Sequence, residues 1–320
     1  MTIATVSETT RARSLTRTAG LRPLGRVNAA FVLALIPGVL GQAPADRGER
    51  DDRASRAKHD RLVAIYTRDI EGYTIFRDPS RKDRLELRPK PVYVWTNPTR
   101  AGGQDGAVFL WTCKGRAEAI GTVFSFPANG PRTVVHELHS LAPTILDVTR
   151  QGAVESGGPS WKPGKAGVAL APIPGSPTPE RTPAQRMSQM RALARDFTGT
   201  TEDRDNRTYE LRLLPKPLYR YQSTDPDVLD GALFAFVSPA GTDPEVILLI
   251  EARHAPDAKA PSWHYALARY TDLNLRMRYR KQDVFSAPFL NGSPDVSSSY
   301  RIFEDRRIPA VEESSDQPQR

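Results

Sequence analysis

The sequence predicts an α+β protein of two tandem units, each one helix followed by a four- to five-stranded antiparallel meander sheet. Three observations predict it. A stretch in the second half, Glu210-Leu-Arg-Leu-Leu-Pro-Lys-Pro-Leu-Tyr-Arg-Tyr221, nearly copies Glu86-Leu-Arg-Pro-Lys-Pro-Val-Tyr-Val-Trp95 in the first. A helical pattern precedes each copy, and the ends of the two patterns, Arg68-Asp-Ile-Glu-Gly72 and Arg195-Asp-Phe-Thr-Gly199, correspond. Short β-rich runs follow each copy, and a meander with one apolar face takes the preceding helix as its cover. The copying extends to Asp105-Gly106 and Asp230-Gly231, to Glu118 and Glu245, and to His136 and His264.

Five arginines, the last at Arg26, precede an apolar run from Ala29 to Leu40 and then Ala43-Pro-Ala45. A basic segment, a short apolar run and an Ala-x-Ala site make a secretory signal peptide over 1–45, cleaved after Ala45. The run is too short to span a membrane, which takes about 20 residues. The chain carries a net +8, but cleavage removes half of that excess. The rest is interspersed with acids as on a solvated surface, so nucleic acid is a poor partner. The single Cys113 makes no intramolecular disulfide, so the exported chain is held by its core alone. Cys113 ends an apolar strand and reads as a small hydrophobe.

After a polar leader at 46–57, the first unit spans 58–149. Leu62, Ile65, Tyr66, Ile70 and Tyr73 give helical spacing from His59 to Tyr73. Asp78-Pro79 closes that element. Leu85 to Thr96 is β-rich but holds Pro89 and Pro91, which confines it to a sheet edge or a bulge. Ala107 to Thr112 and Ala117 to Phe126 form a hairpin about Lys114-Gly115, followed by a strand from Thr133 to Leu141. Residues 150–183 are a proline- and glycine-rich linker, though Trp161 and Val168 to Ile173 are apolar enough to lie against a domain. The second unit, 184–290, opens with Thr182 as N-cap and Pro183 in the first turn of a helix to Phe197. Its strands are expected at Tyr209 to Tyr221, Ala232 to Val237, Glu245 to Arg253, Trp263 to Tyr270 and Leu273 to Phe285. The C-terminal tail, 291–320, is polar and disordered beyond Glu304 by composition.

The chemistry-bearing residues are few. His136-Glu-Leu-His139 lacks the i, i+4 histidine spacing of a zinc protease helix, and on a strand the two rings point to opposite faces, so no metal is expected. Glu137 and His139 have no counterparts in the second copy and are the candidates for a catalytic role held by one half. The recurring acids read as structural, Asp-Gly as a turn signal, and Glu86 with Arg88 and Glu210 with Arg212 as same-face ion pairs. Tyr93, Trp95, Tyr219 and Tyr221 form aromatic pairs that suit a sugar or a proline-rich peptide, or a core beneath the helix. Arg276, Arg278, Arg280 and Lys281 form the one-signed patch, a strand face that could meet a polyanion.

This layout is similar to cystatin-like helix-on-curved-sheet modules, and the overall pattern resembles exported bacterial proteins of unassigned function. Such modules serve in binding or inhibition more often than in catalysis; the first expectation is a non-enzymatic exported protein with a binding or structural role, an envelope protein or polymer as partner and no cofactor. A cell-envelope hydrolase with a pocket between the units, or a weak polyanion binder, are the alternatives.

Overall fold

The computed structural model describes residues 45–98, 100–151, 161–254 and 260–310. Residues 1–44, which hold most of the export signal read above, lie outside the described residues. Arg47–Arg320 forms one compact unit; the other unit, Met1–Asp46, is described only at its last two residues.

The first half runs α1 (Ala45–Glu71), β1 (Tyr73–Phe76), β2 (Glu86–Leu87), β3 (Tyr93–Asn97), β4 (Gln104–Cys113), β5 (Arg116–Pro127), β6 (Arg132–Ser140) and β7 (Asp147–Arg150). After β8 (Ala171–Pro172), the second half runs α2 (Pro183–Arg195), β9 (Phe197–Glu202), β10 (Thr208–Glu210), β11 (Arg212–Leu213), β12 (Tyr219–Tyr221), β13 (Val228–Val237), β14 (Pro244–Arg253) and β15 (Ser262–Arg269). It closes with β16 (Asn274–Tyr279), β17 (Gln282–Ala287) and β18 (Tyr300–Ile308).

This is a β-rich fold and not the expected α+β layout: the described residues form eighteen strands in four sheets, with two helices. The first large sheet has the order β18-β6-β5-β4, with β2 and β3 end to end on the outer edge of β4. The second has the order β8-β15-β14-β13, with β11 and β12 end to end on β13. Pro89 and Pro91 break one edge strand in two, and Pro215 and Pro217 break the other, because proline cannot donate to a ladder.

The physical reason for the difference lies in β4, β5, β13 and β14. Their apolar runs bury both faces, which a helix on one face does not explain. The two large sheets pack against each other through Val108, Leu110 and Ile120 from the first and Leu233, Ile247 and Leu249 from the second. The outer face of the first sheet is covered by Leu62, Tyr66 and Ile70 of α1 and by the β1-β7 pair. Met187, Met190 and Leu193 of α2 and a four-stranded sheet, β10-β9-β16-β17, cover the second. The cystatin-like analogy therefore fails, because the central contact is sheet on sheet.

Several local expectations are also corrected. The polar segment 46–57 is the beginning of α1, which ends at Glu71, and Tyr73 starts a strand. Leu273 to Phe285 is two strands with a turn at Arg280-Lys281, both at positive φ. The chain does not loosen at Glu304: β18 continues to Ile308 and returns from the second half to the edge of β6. Asp305 anchors it, taking both Arg150 nitrogens at 2.6 and 2.8 Å, while Arg306 reaches Asp69 of α1 at 2.8 Å. In the linker, Trp161 is buried in the core under α1 and its indole donates to the Ser298 carbonyl.

Asp105-Gly106 and Asp230-Gly231 are not turns; both lie inside strands. A Cβ on Gly106 would stand 2.4 Å from the Trp95 ring, and one on Gly231 would stand 2.5 Å from Tyr221. The glycines leave room for the aromatic side chain on the neighbouring strand.

Candidate functional site

The two hairpins β4-β5 and β13-β14 carry the same irregularity. Trp111 pairs with Ala119 and Thr112 with Ala117, so Glu118 is an extra residue; likewise Phe236 pairs with Val246 and Val237 with Pro244, which makes Glu245 extra. Each glutamate is the insertion of a β-bulge, a device that re-aims a side chain. Both are buried, and their carbonyls accept from corresponding residues, Leu141 and Tyr270, at 2.8 Å each.

The pairing registers fix further correspondences. Trp95, Gly106, Phe124 and Val135 form one row across the first sheet, and Tyr221, Gly231, Glu251 and His264 the same row across the second. His264 therefore corresponds to Val135, and His136 to Tyr265. The sequence match of His136 with His264 was one residue out of register, and a one-residue slip turns a side chain to the other face. Glu137 corresponds to Ala266 and His139 to Ala268.

On the second sheet this row is filled. Arg116 enters from the first half and donates Nε to Glu251 at 2.7 Å, while its Nη1 stands 3.1 Å from Glu118. Tyr221 donates to the same Glu251 oxygen at 2.6 Å, and Arg253 holds the other at 2.7 Å. Burial opposes the Glu251 charge, but Arg116, Tyr221 and Arg253 outweigh it and hold the carboxyl below its ordinary range. Glu118 is pushed up by burial, against the pull of Arg116 and Arg77.

On the first sheet the row is open. Where Arg116 precedes its strand-paired alanine, Asp243 precedes Pro244; where Glu251 stands, the first sheet has Phe124. The result is a cavity of about 370 Å³. Its walls include Trp95, Phe124, Phe126 and Val135 from the first sheet and Asp243, Tyr270 and Asp272 from the second half. β18 contributes Ile302 and Glu304. Asp243 is held by Arg100 at 2.9 Å and Asn97 at 2.7 Å, and Asp272 by Arg204 at 2.8 Å. The Trp95 indole nitrogen is buried without a hydrogen-bond partner.

Glu137 lines this cavity, with the Tyr300 hydroxyl donating to it at 2.6 Å. Its carboxyl is raised well above the ordinary range, first by burial and then by Asp243, Glu245 and Asp272, against the hydrogen bond from Tyr300. Glu245, in an adjoining cavity of about 300 Å³, is pushed up to about 8 by burial and Asp243. His139 does not join Glu137 at the cavity. It is buried, its Nδ1 lies 2.6 Å from the Ser140 carbonyl, and burial depresses it to about 4. The two catalytic candidates are thus on one strand and not assembled into a pair.

The aromatic candidates divide. Trp95 and Tyr221 lie in the core between the sheets, not beneath a helix. Tyr93 donates to the Thr242 carbonyl and Tyr219 to the Gly115 carbonyl, each at 3.1 Å, so each hydroxyl reaches the hairpin turn of the opposite half. The expected Glu86–Arg88 and Glu210–Arg212 ion pairs are not formed among the described residues; Arg88 stacks on Tyr219, and Glu210 and Arg212 belong to different sheets. The polyanion face is broken up. Arg276 and Arg278 are exposed on β16, but Arg280 and Lys281 are in the turn, Arg278 pairs with Asp283 and Arg280 with Asp196. Cys113 is buried and its thiol is raised by burial.

Among the described residues, Asp69, His136 and Asp305 bring ligand atoms within 4.8 Å of one another. Arg150 and Arg306 already neutralise both carboxylates, and burial depresses His136 to about 3, so the cluster is a charge-balanced clamp on β18. Asp243, Phe124, Tyr270, Asp272 and Tyr300 were missed from sequence. The signal was there in the Arg116 to Asp243 exchange, but it emerges only when the hairpins are aligned at the bulge. Searches of protein-family models, curated proteins and solved structures found no match to this chain.

Proposed function

We propose that this is an exported, non-catalytic binding protein that holds a small organic ligand in the cavity lined by Trp95, Phe124 and Glu137. The observation that carries this reading is the inequality of two corresponding places. If the halves are copies of one unit, the same row is packed solid by Arg116 and Glu251 in one and hollow in the other. A filled counterpart means that the fold does not require the hollow. The cavity is within the size range of small-molecule sites, with apolar walls and a few convergent polar groups. Its carboxylates at Asp243 and Asp272 are occupied by arginines, and Glu137 is held by Tyr300, which suits recognition better than nucleophilic chemistry. Export rests on the N-terminal sequence.

The test is a thermal-shift screen of the full-length chain against small metabolites, saccharides and short peptides. A ligand that binds the folded state stabilises it by about 2.7 kcal/mol at a hundred times its dissociation constant. The shift should be abolished in Phe126→Ala, which trims a half-buried wall. A library without any hit, or a hit whose shift survives Phe126→Ala, would refute the proposal.

A further inference from the structure

We infer that the cavity takes an organic cation, a guanidinium or ammonium group placed between Asp243 and Glu137 and against the faces of Trp95 and Phe124. This deepens the binding reading above and rests on it.

The first argument is the filled counterpart. In the second sheet's row the space beside Tyr221 and Glu251 is occupied by a guanidinium, that of Arg116, with Glu251 at 2.7 Å and the bulge glutamate at 3.1 Å. At the corresponding place beside Trp95 and Phe124 the β13-β14 hairpin brings, in place of the guanidinium, an acid, Asp243, and its bulge glutamate Glu245 lines the adjoining cavity. From the cavity wall Arg100 neutralises Asp243 at 2.9 Å, but the space that the Arg116 guanidinium fills in one copy is hollow in the other.

The second argument is charge. The cavity lining holds Glu137, Asp243, Asp272 and Glu304 against Arg100 and Arg204. Arg100 is committed to Asp243 and Arg204 to Asp272, which leaves Glu137 and Glu304 in excess within the lining, with the charge of Arg269 acting on Glu137 from outside it. Asp243, Glu245 and Asp272 all act on Glu137 in the same direction, against its ionisation. A bound cation reverses that field.

The third argument is the wall. Trp95 and Phe124 lie with ring centroids 5.7 Å apart along the cavity side. Tryptophan is the preferred aromatic partner of a cation, and the attraction strengthens when water is excluded. An anionic ligand would meet the two acids left in excess, and a neutral one would leave them unanswered.

The experiment uses two probes of one shape, n-butylguanidinium and n-butylurea, titrated calorimetrically against the full-length chain near neutral pH. The cation should bind at least about ten-fold more tightly than the urea. Glu137→Gln and Asp243→Asn should each remove most of that preference, and Glu137→Gln, which keeps the Tyr300 contact, guards against a folding defect. Equal affinity for both probes overturns the cation assignment, as does a preference that both variants retain. If neither probe binds but a neutral compound from the screen does, the assignment fails while the binding reading stands. If nothing in the screen binds, both fail.

Discussion

A bulge buries Glu245, and the consequence is measurable. Its pKa of about 8 in the folded chain lies above the ordinary 4.5, so the folded state binds an extra proton between those values. Stability contributed by the protonated form is complete below about 4.5 and is lost as pH rises through 8, at a slope of about 1.4 kcal/mol per unit. Glu245→Gln should flatten the fall in stability between pH 5 and 8 by one proton's worth, as read by urea unfolding at several pH values. An unchanged slope would show that Glu245 ionises freely. His136 and His139 act in the opposite sense. Depressed to about 3 and 4, they contribute stability at neutral pH that is lost as pH falls below their ordinary 6.5. Asp243 raises Glu245 and also lines the cavity.

Strands β4 and β13 each admit an aromatic ring over a glycine, which gives an element-level prediction. Gly106→Ala forces a methyl to within 2.4 Å of the Trp95 ring. Overpacking of this kind costs about 1–3 kcal/mol, and Trp95→Leu in the same chain should recover part of it. Chemical denaturation of the four members of the cycle measures the coupling, and strictly additive effects would argue against the contact. The sequence made much of this element legible. The proline-broken edge strands, the Lys114-Gly115 hairpin, the Thr182 cap and the common pattern around the glutamates all lie in local residue chemistry. Three things were not legible. Both-face burial is present in Gly231-Ala-Leu-Phe-Ala-Phe-Val237, but a preceding helix offers a ready cover for one face and so conceals the second. The His136 register needed the strand partners. The return of β18 to β6 is a long-range pairing that polar composition conceals, since Arg306 is consumed by Asp69, and Asp305 by Arg150 and His136.

At the scale of the molecule the halves exchange matching contacts. Tyr93 reaches the second hairpin turn and Tyr219 the first, Asn97 accepts from the Thr242 backbone, and Ser223 donates to the Lys114 carbonyl. Such reciprocity is the mark of a two-fold interface, here within one chain. The core between the large sheets draws on both halves, and β18 completes the first sheet only after the second half has been made. The first half therefore has no complete sheet of its own, the core between the large sheets belongs to both halves, and unfolding should be a single cooperative event. Urea transitions followed by far-UV circular dichroism and by tryptophan fluorescence should coincide. Ile120→Ala, which removes a fully buried side chain of the first sheet that faces the second, should lower stability by about 2–5 kcal/mol and shift both signals together. Two separated transitions, or a shift in one signal alone, would mean that the halves fold as independent domains and that the cavity between them opens without unfolding either.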